Sequence, residues 1–375
     1  RRLLKFWDTS LGSNTRQFTG RSFLHEPKMQ QRVDANGRVP KAALKPYPNF
    51  NADRDAEVLK KAMEGLGTDE EKIIEILGHR TSSQRVQIAS RYKALYGKDL
   101  RDDLDSELSG DFGELVDLLF FTPAELKAEI CYRAIRGLGT DEDALVEVIC
   151  TSTTEELKQL KEDYAKVLQK HGKVGSIDSL EKHVKSDTSG YFRRILIALL
   201  AAQRPEPTED QIQMMLNKGV DTYIDKKAAR ADAEALYNAG EKKLGTDEAT
   251  FINILCNRNP WQLMAISRAY EEISKKRLVE AIASETSGDF KRALITTLTA
   301  QISRPMAFAQ LLNKAVAGLG TNDDELMRIV VWRSEIDMED IKNAYLTRYN
   351  ESLEDAIKDD TSGDYEKLLL ALIGC

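Results

Sequence analysis

Four short stretches of this chain pair a glycine turn with a distant acid, and that pairing has the ingredients of a cation site. The turns read Gly65-Leu66-Gly67-Thr68-Asp69-Glu70, Gly137-Leu138-Gly139-Thr140-Asp141-Glu142, Leu244-Gly245-Thr246-Asp247-Glu248 and Gly318-Leu319-Gly320-Thr321-Asn322-Asp323. Each is answered downstream by an acid shortly before a Ser-Gly pair: Glu107, Asp187, Glu285 and Asp360. From the second glycine to the acid is 40 residues in copies one, three and four, and 48 in copy two. Taken singly, a Gly-x-Gly after a helix reads as a helix C-cap and a Thr-Asp-Glu as an N-cap. Capping gives no reason for a carboxylate to recur at a fixed distance, and coordination does.

Calcium takes six to eight oxygens and accepts backbone carbonyls as well as carboxylates. The end of a helix exposes carbonyls with no intrahelical partner, and glycines let several of them turn toward one point. Such a cup carries little charge, so a carboxylate from elsewhere must complete it. About half of the coordination sphere is then left for water or an external oxygen. The acidic alternation of an EF-hand loop is absent. So is a strand followed by a Gly-Lys-Ser/Thr phosphate loop.

The elements that must hold these loops read as helices throughout. Val58, Leu59, Ala62, Met63 and Leu66 fall on one helical face before the first glycine break. Thr68 and Glu71 are spaced as a capping box for the next helix. Five helices fit in about 70 residues, and the unit recurs four times, which predicts an all-α repeat protein. The expected divisions are a flexible basic arm over 1–48, repeats over 49–121, 122–203, 228–303 and 304–375, and a linker over 204–227. The linker carries a short amphipathic helix capped by Thr208, a surface for packing, a protein partner or self-association. About eight extra residues around Gln169–Gly175 lengthen the second unit.

The 375 residues are 42% hydrophobic and 31% charged, with a net charge of −7. Residues 1–48 hold ten Lys and Arg against three Asp and Glu, which leaves −14 for the rest. An acidic body repels phosphate-rich partners, nucleic acid included, unless a multivalent cation intervenes. No apolar run reaches the ~20 residues that span a bilayer, so membrane contact is expected to be peripheral. The opening Arg1–Trp7 has too short an apolar part for a signal peptide. Cys131, Cys150, Cys256 and Cys375 lack metal-ligand spacing and fit a reducing compartment. His25, His79, His171 and His183 form no recognisable catalytic constellation, so an enzyme is not expected.

On these loops and acids the chain resembles the annexin family over roughly residues 49–375. The resemblance implies four right-handed five-helix repeats in a curved disc, with calcium bridging its convex face to anionic phospholipid. It implies a first site of Met63, Gly65 and Gly67 carbonyls with the Glu107 carboxylate, and Thr68 with Glu70 as an accessory site. The second would use Ile135, Gly137, Gly139 and Asp187. The third, in the variant phrase Gly240–Gly245, would use Gly240, Lys243, Gly245 and Glu285, and the fourth Val316, Gly318, Gly320 and Asp360. Two departures stand out: Glu64 and Ala317 occupy a loop position that is usually basic, and Ser152 replaces the arginine found as Arg80, Arg258 and Arg333. The eight-residue insert puts Asp187 in question. The long linker resembles that of some parasitic flatworm annexins. The family places the C-terminus beside the third repeat, so Cys256 and Cys375 are the pair it implies if a disulfide forms. The implied role is a membrane-organising or membrane-aggregating scaffold, cytoplasmic and peripheral on membranes, with unconventional secretion as the route to the cell surface. The alternative is an α-helical adaptor that binds a protein through its arm or linker helix.

Overall fold

The computed structural model describes residue 34 and residues 37–65, 67–137, 139–173, 178–242, 245–318 and 320–375. Most of the basic arm therefore lies outside the described residues, as does Lys243 of the third loop. Among the described residues every regular element is helical. The first repeat comprises α1 (Ala52–Ala62), α2 (Glu70–Leu77), α3 (Ser82–Tyr96), α4 (Leu100–Glu107) and α5 (Gly110–Leu118). The second comprises α6 (Pro123–Ile135), α7 (Glu142–Thr151), α8 (Thr154–Lys170), α9 (Leu180–Asp187) and α10 (Gly190–Leu200). Then come the linker helix α11 (Glu209–Lys218) and a 3-10 turn at Val220–Tyr223. The third repeat runs through α12 (Lys226–Ala239), α13 (Glu248–Asn257), α14 (Pro260–Ser274), α15 (Leu278–Glu285) and α16 (Gly288–Ile302). The fourth runs through α17 (Arg304–Val316), α18 (Asp323–Ser334), α19 (Met338–Tyr349), α20 (Leu353–Asp360) and α21 (Gly363–Leu372).

Each repeat buries the apolar stripe that its helices carry. In α1 that stripe is Ala56, Leu59 and Ala62, three residues apart, and in α2 it is Ile73, Ile74, Ile76 and Leu77. Repeats meet in two pairs: α2 and α5 pack on α21, and α5 also on α18, while α10 packs on α13 and α16. Between repeats II and IV, Arg328 donates to Glu147 at 3.2 Å and Asp141 at 3.4 Å. Thr208 caps α11 by accepting from the Gln211 amide, as its sequence position predicts, and Ile212 is the residue that helix buries.

The end of the N-terminal arm is tied down. Ala43 and Leu44 amides donate to the Ser334 carbonyl, and the Glu339 amide donates to the Lys41 carbonyl. Tyr47 exchanges two hydrogen bonds with the Gln84 side chain and lays its ring on Arg80 at 3.6 Å. Residues 41–47 thus strap repeat IV to repeat I.

All four cysteines are free. The implied Cys256–Cys375 pairing does not occur. Cys256 is buried with its carbonyl accepting from Arg204, whereas the exposed Cys375 thiol faces Glu354 at 3.8 Å.

Candidate functional site

Each glycine loop leaves the first helix of its repeat and is closed by one backbone bond. The amides of Asp69, Asp141, Asp247 and Asn322 donate to the carbonyls of Ala62, Ala134, Ala239 and Ala315 at 2.8–2.9 Å. The side chain of that same residue then caps the second helix, accepting from Lys72, Ala144, Thr250 or Glu325 amides. The N-cap is therefore Asp69, not Thr68 as the capping-box spacing suggested. A longer loop shifts the helix start by one residue, and an Asx side chain is at least as good a cap as threonine.

The threonine has another task. Thr140, Thr246 and Thr321 each donate their hydroxyl to the backbone carbonyl of the downstream acid, Asp187, Glu285 or Asp360, at 2.9 Å. Thr321 also reaches the Asp360 carboxylate at 3.0 Å. This clasp fixes the end of the fourth helix against the glycine loop, so loop and carboxylate become one unit. The sequence did contain a signal for it. Thr recurs in all four copies while the residue after it varies between Asp and Asn, as a cap may.

Asp187 takes the same place despite its longer spacing. The insert is absorbed by the 17-residue α8, two residues longer than α3, and by the segment after it. In repeat I, no corresponding bond joins Thr68 to Glu107. Glu107 and Glu70 line instead a cleft shared with repeat IV.

The glycines separate into two kinds. The second glycine of each loop, Gly67, Gly139, Gly245 or Gly320, has φ between 82° and 96°, where side chains are strained. The first is left-handed in Gly65 and Gly137 only. Gly240 is needed for close approach instead, whereas at Gly318 a side chain would meet only ordinary contact. A Cβ on Gly240 would stand 3.1 Å from Glu285 Cγ, and one on Gly318 would stand 3.4 Å from the Gly320 carbonyl oxygen. The third loop is further held through Glu241, which accepts from the Tyr270 hydroxyl at 3.0 Å and pairs with Lys276 at 2.6 Å. Met63 is the C-cap just past α1, and Ile135 and Val316 are the last residues of α6 and α17; their side chains are buried or half-buried, at helix ends where carbonyls lack intrahelical partners.

The donor set is thus a carbonyl-rich loop beside one carboxylate, the composition that suits a hard, oxygen-seeking cation. Among the described residues no three His, Cys, Asp or Glu side chains form a metal cluster. Any cation here would therefore depend on backbone oxygens. The histidines of repeat II serve the fold: His171 pairs with Glu129 and stacks on Tyr132, and His183 shares a 2.8 Å hydrogen bond with Tyr164.

The annexin family model matches residues 54–119, 127–199, 231–297 and 307–372, one segment per repeat. The chain is 44% identical to annexin A13 of Schistosoma japonicum over 344 residues, covering 92% of this chain and 97% of that one. It is 42% identical to human annexin A4 over 332 residues, covering 88% and 97%. Among solved structures, chicken annexin V superposes with a TM-score of 0.81 at 38% identity, covering 90% of this chain and 100% of that chain. A calcium-bound annexin (Sm)1 superposes with a TM-score of 0.75 at 39% identity, covering 92% and 95%.

Proposed function

Because this chain belongs to the annexin family, we propose that it binds anionic phospholipid membranes in a calcium-dependent manner, through its four glycine loops and their acids. The observation that carries this reading is the threonine clasp, which holds Asp187, Glu285 and Asp360 against their loops. The residues that would hold calcium are the loop carbonyls of positions 63, 65 and 67, 135, 137 and 139, 240, 243 and 245, and 316, 318 and 320. Glu107, Asp187, Glu285 and Asp360 would each add a carboxylate, and Thr68 with Glu70 an accessory position. Bound calcium supplies a bridge to lipid phosphate, which offsets the repulsion between an acidic protein and an anionic surface. Four weak sites on one body reinforce each other through effective concentration, so binding is tight as a whole and reversible on calcium removal.

We read the protein as a membrane-organising scaffold rather than an enzyme, cytoplasmic and peripheral on membranes. Among the described residues no helix is long and apolar enough to cross a membrane. Vesicle co-sedimentation tests the central claim. With phosphatidylserine vesicles and millimolar calcium the protein pellets, and with a chelator it stays in the supernatant. A protein that stays in the supernatant in both would end this reading. A second reading, protein binding through α11, draws on Met214 and Leu216, which are 43% and 51% exposed on that helix.

One substitution isolates a single loop. Gly240→Ala pushes a methyl against Glu285, and relief requires that carboxylate to move. The expected result is a several-fold weaker third site, about 1 kcal/mol, with the other three unchanged. Calcium titration by calorimetry, comparing site count and affinities with the parent, checks it.

A further inference from the structure

Five carboxylates share three cations where repeat II meets repeats III and IV. Lys314 of α17 bridges Asp143 at 2.9 Å and Glu325 at 3.2 Å. Arg328 of α18 reaches Glu147 of α7 at 3.2 Å and Asp141 at 3.4 Å. Arg292 of α16 pairs with Asp143 at 3.0 Å and also with Asp289. Asp141 and Asp289 are exposed enough for water to screen them, whereas Glu147 and Glu325 are fully buried. Each buried acid has one carboxylate oxygen, Oε1, with no hydrogen-bond partner among the described residues.

The two buried acids are not equally provided for. Glu325 accepts from Lys314 Nζ at 3.2 Å and from the Asn322 side-chain amide at 3.3 Å. Glu147 accepts from Arg328, and Asp141 draws on the same guanidinium. From α6 the buried Cys131 thiol faces Glu147, and from α18 the charge of Glu325 does. The other repeats show where the excess of acid arises. Counted from the second loop glycine, the position of Glu325 holds Lys72, Ala144 and Thr250, so repeat IV adds an acid that the others lack. A buried carboxylate with an oxygen that no donor reaches favours its neutral form. Burial, opposed by Arg328 and reinforced by Glu325, pushes the Glu147 carboxyl up to about 8.

We propose that Glu147 carries a proton in the calcium-free protein at neutral pH and releases it when cations fill the loops of repeats II and IV. The proposal rests on the calcium reading above and gives those two loops a regulator. The buried junction touches both loops. The Asp141 amide closes loop II on Ala134 while its carboxylate takes Arg328, and Asn322 closes loop IV on Ala315 while its side chain donates to Glu325. A divalent cation at either loop adds positive charge beside the buried acids, which favours their ionised form. The ionised Glu147 is then a full partner for Arg328. By reciprocity a proton that calcium expels opposes calcium, so these loops bind more tightly as pH rises through the Glu147 titration. The effect on calcium-free stability is the reverse. The folded acid keeps its proton to higher pH than the unfolded chain does, so it contributes stability at acid pH that is lost as pH rises through about 8.

The test compares the full chain with Glu147→Gln and with Glu325→Gln, neither of which changes a loop ligand. Infrared difference spectra of the calcium-free parent show the carbonyl band of a protonated carboxylic acid at neutral pH, and the band disappears with a midpoint of about 8. Glu147→Gln lacks that band. In Glu325→Gln the band is lost at lower pH, because one like charge is gone. No such band in the parent, or one that survives in Glu147→Gln, overturns the proton site whatever calcium does. If Glu147→Gln does not fold, an unshifted band in Glu325→Gln overturns it instead. Phosphatidylglycerol vesicles, whose headgroup does not titrate near neutral pH, then test the coupling. The parent needs about fivefold less calcium for half-binding at pH 9 than at pH 7, the part of an about tenfold coupling that a group titrating near pH 8 shows over that range. Glu147→Gln shows no such change. A midpoint that stays fixed in the parent, or moves equally in the variant, overturns the coupling while leaving calcium-dependent binding intact. A parent that binds at neither pH overturns the membrane reading, and the coupling with it.

Discussion

The variant Glu107→Gln, Glu285→Gln, Asp360→Asn needs at least tenfold more calcium than the parent to reach half-binding on phosphatidylserine vesicles. Each substitution keeps the shape of the side chain and removes the one charge its loop recruits. Calcium affinity in oxygen sites falls by decades as charged ligands are lost. Because the sites act together, weakening three of four lowers the whole more than any one. The fold has no reason to suffer. The clasp hydroxyls of Thr246 and Thr321 donate to backbone carbonyls of residues 285 and 360, which the substitutions leave in place. Thermal unfolding without calcium should therefore match the parent, and loss of binding would report on ligands alone. An unchanged calcium midpoint would show that these acids are not the ligands.

Much of this arrangement was legible in the residues. The helices follow from apolar positions three and four apart, and the recurrence of five helices follows from four copies of one phrase. The loop–acid pairing was visible as spacing, because a fixed distance along a helical unit is a fixed distance in space. The division of labour inside the phrase was harder to see. Thr68 and Asp69 are both good caps, and only the backbone bond from Asp69 to Ala62 decides which one starts the helix. The role of threonine needs the position of a carbonyl some 40 residues away, which no local propensity encodes. Asp187 looked displaced because length was counted along the chain, whereas a longer α8 and the segment after it take up the extra residues. The charge cluster around Glu147 was hidden for the same reason: its members come from α7, α16, α17 and α18, which belong to three repeats.

The arginine after the second helix gives the largest expected effect on stability, and the four repeats already contain the controls. In repeat I, Arg80 holds Asp55 through two bonds, Nε to Oδ2 at 2.7 Å and Nη2 to Oδ1 at 3.1 Å, with both residues about 95% buried. Asp55→Ala leaves a guanidinium out of water with no acid beside it, a change of about 3–5 kcal/mol. In repeat III the same geometry recurs between Arg258 and Asp232, but the arginine side chain is 41% exposed. Asp232→Ala should therefore cost about 1 kcal/mol or less. Repeat II has Lys127 and Ser152 at these positions, and the serine hydroxyl donates to the Val148 carbonyl instead. Repeat IV keeps Arg333 but has Phe308 where the acid was, and the guanidinium stacks on that ring at 4.5 Å. Its counter-charge comes from Asp337, four residues on, at 2.7 Å. The position matching Asp337 in repeat I is Gln84. Gln84→Asp added to Asp55→Phe rebuilds the fourth-repeat arrangement around Arg80, and should recover about half of the lost stability. The recovery is incomplete because Gln84 also donates to the Tyr47 carbonyl, which an aspartate does not do. Denaturant unfolding of the single and double variants measures each step. An Asp55→Ala loss no larger than that of Asp232→Ala would mean that burial does not set the worth of this pair.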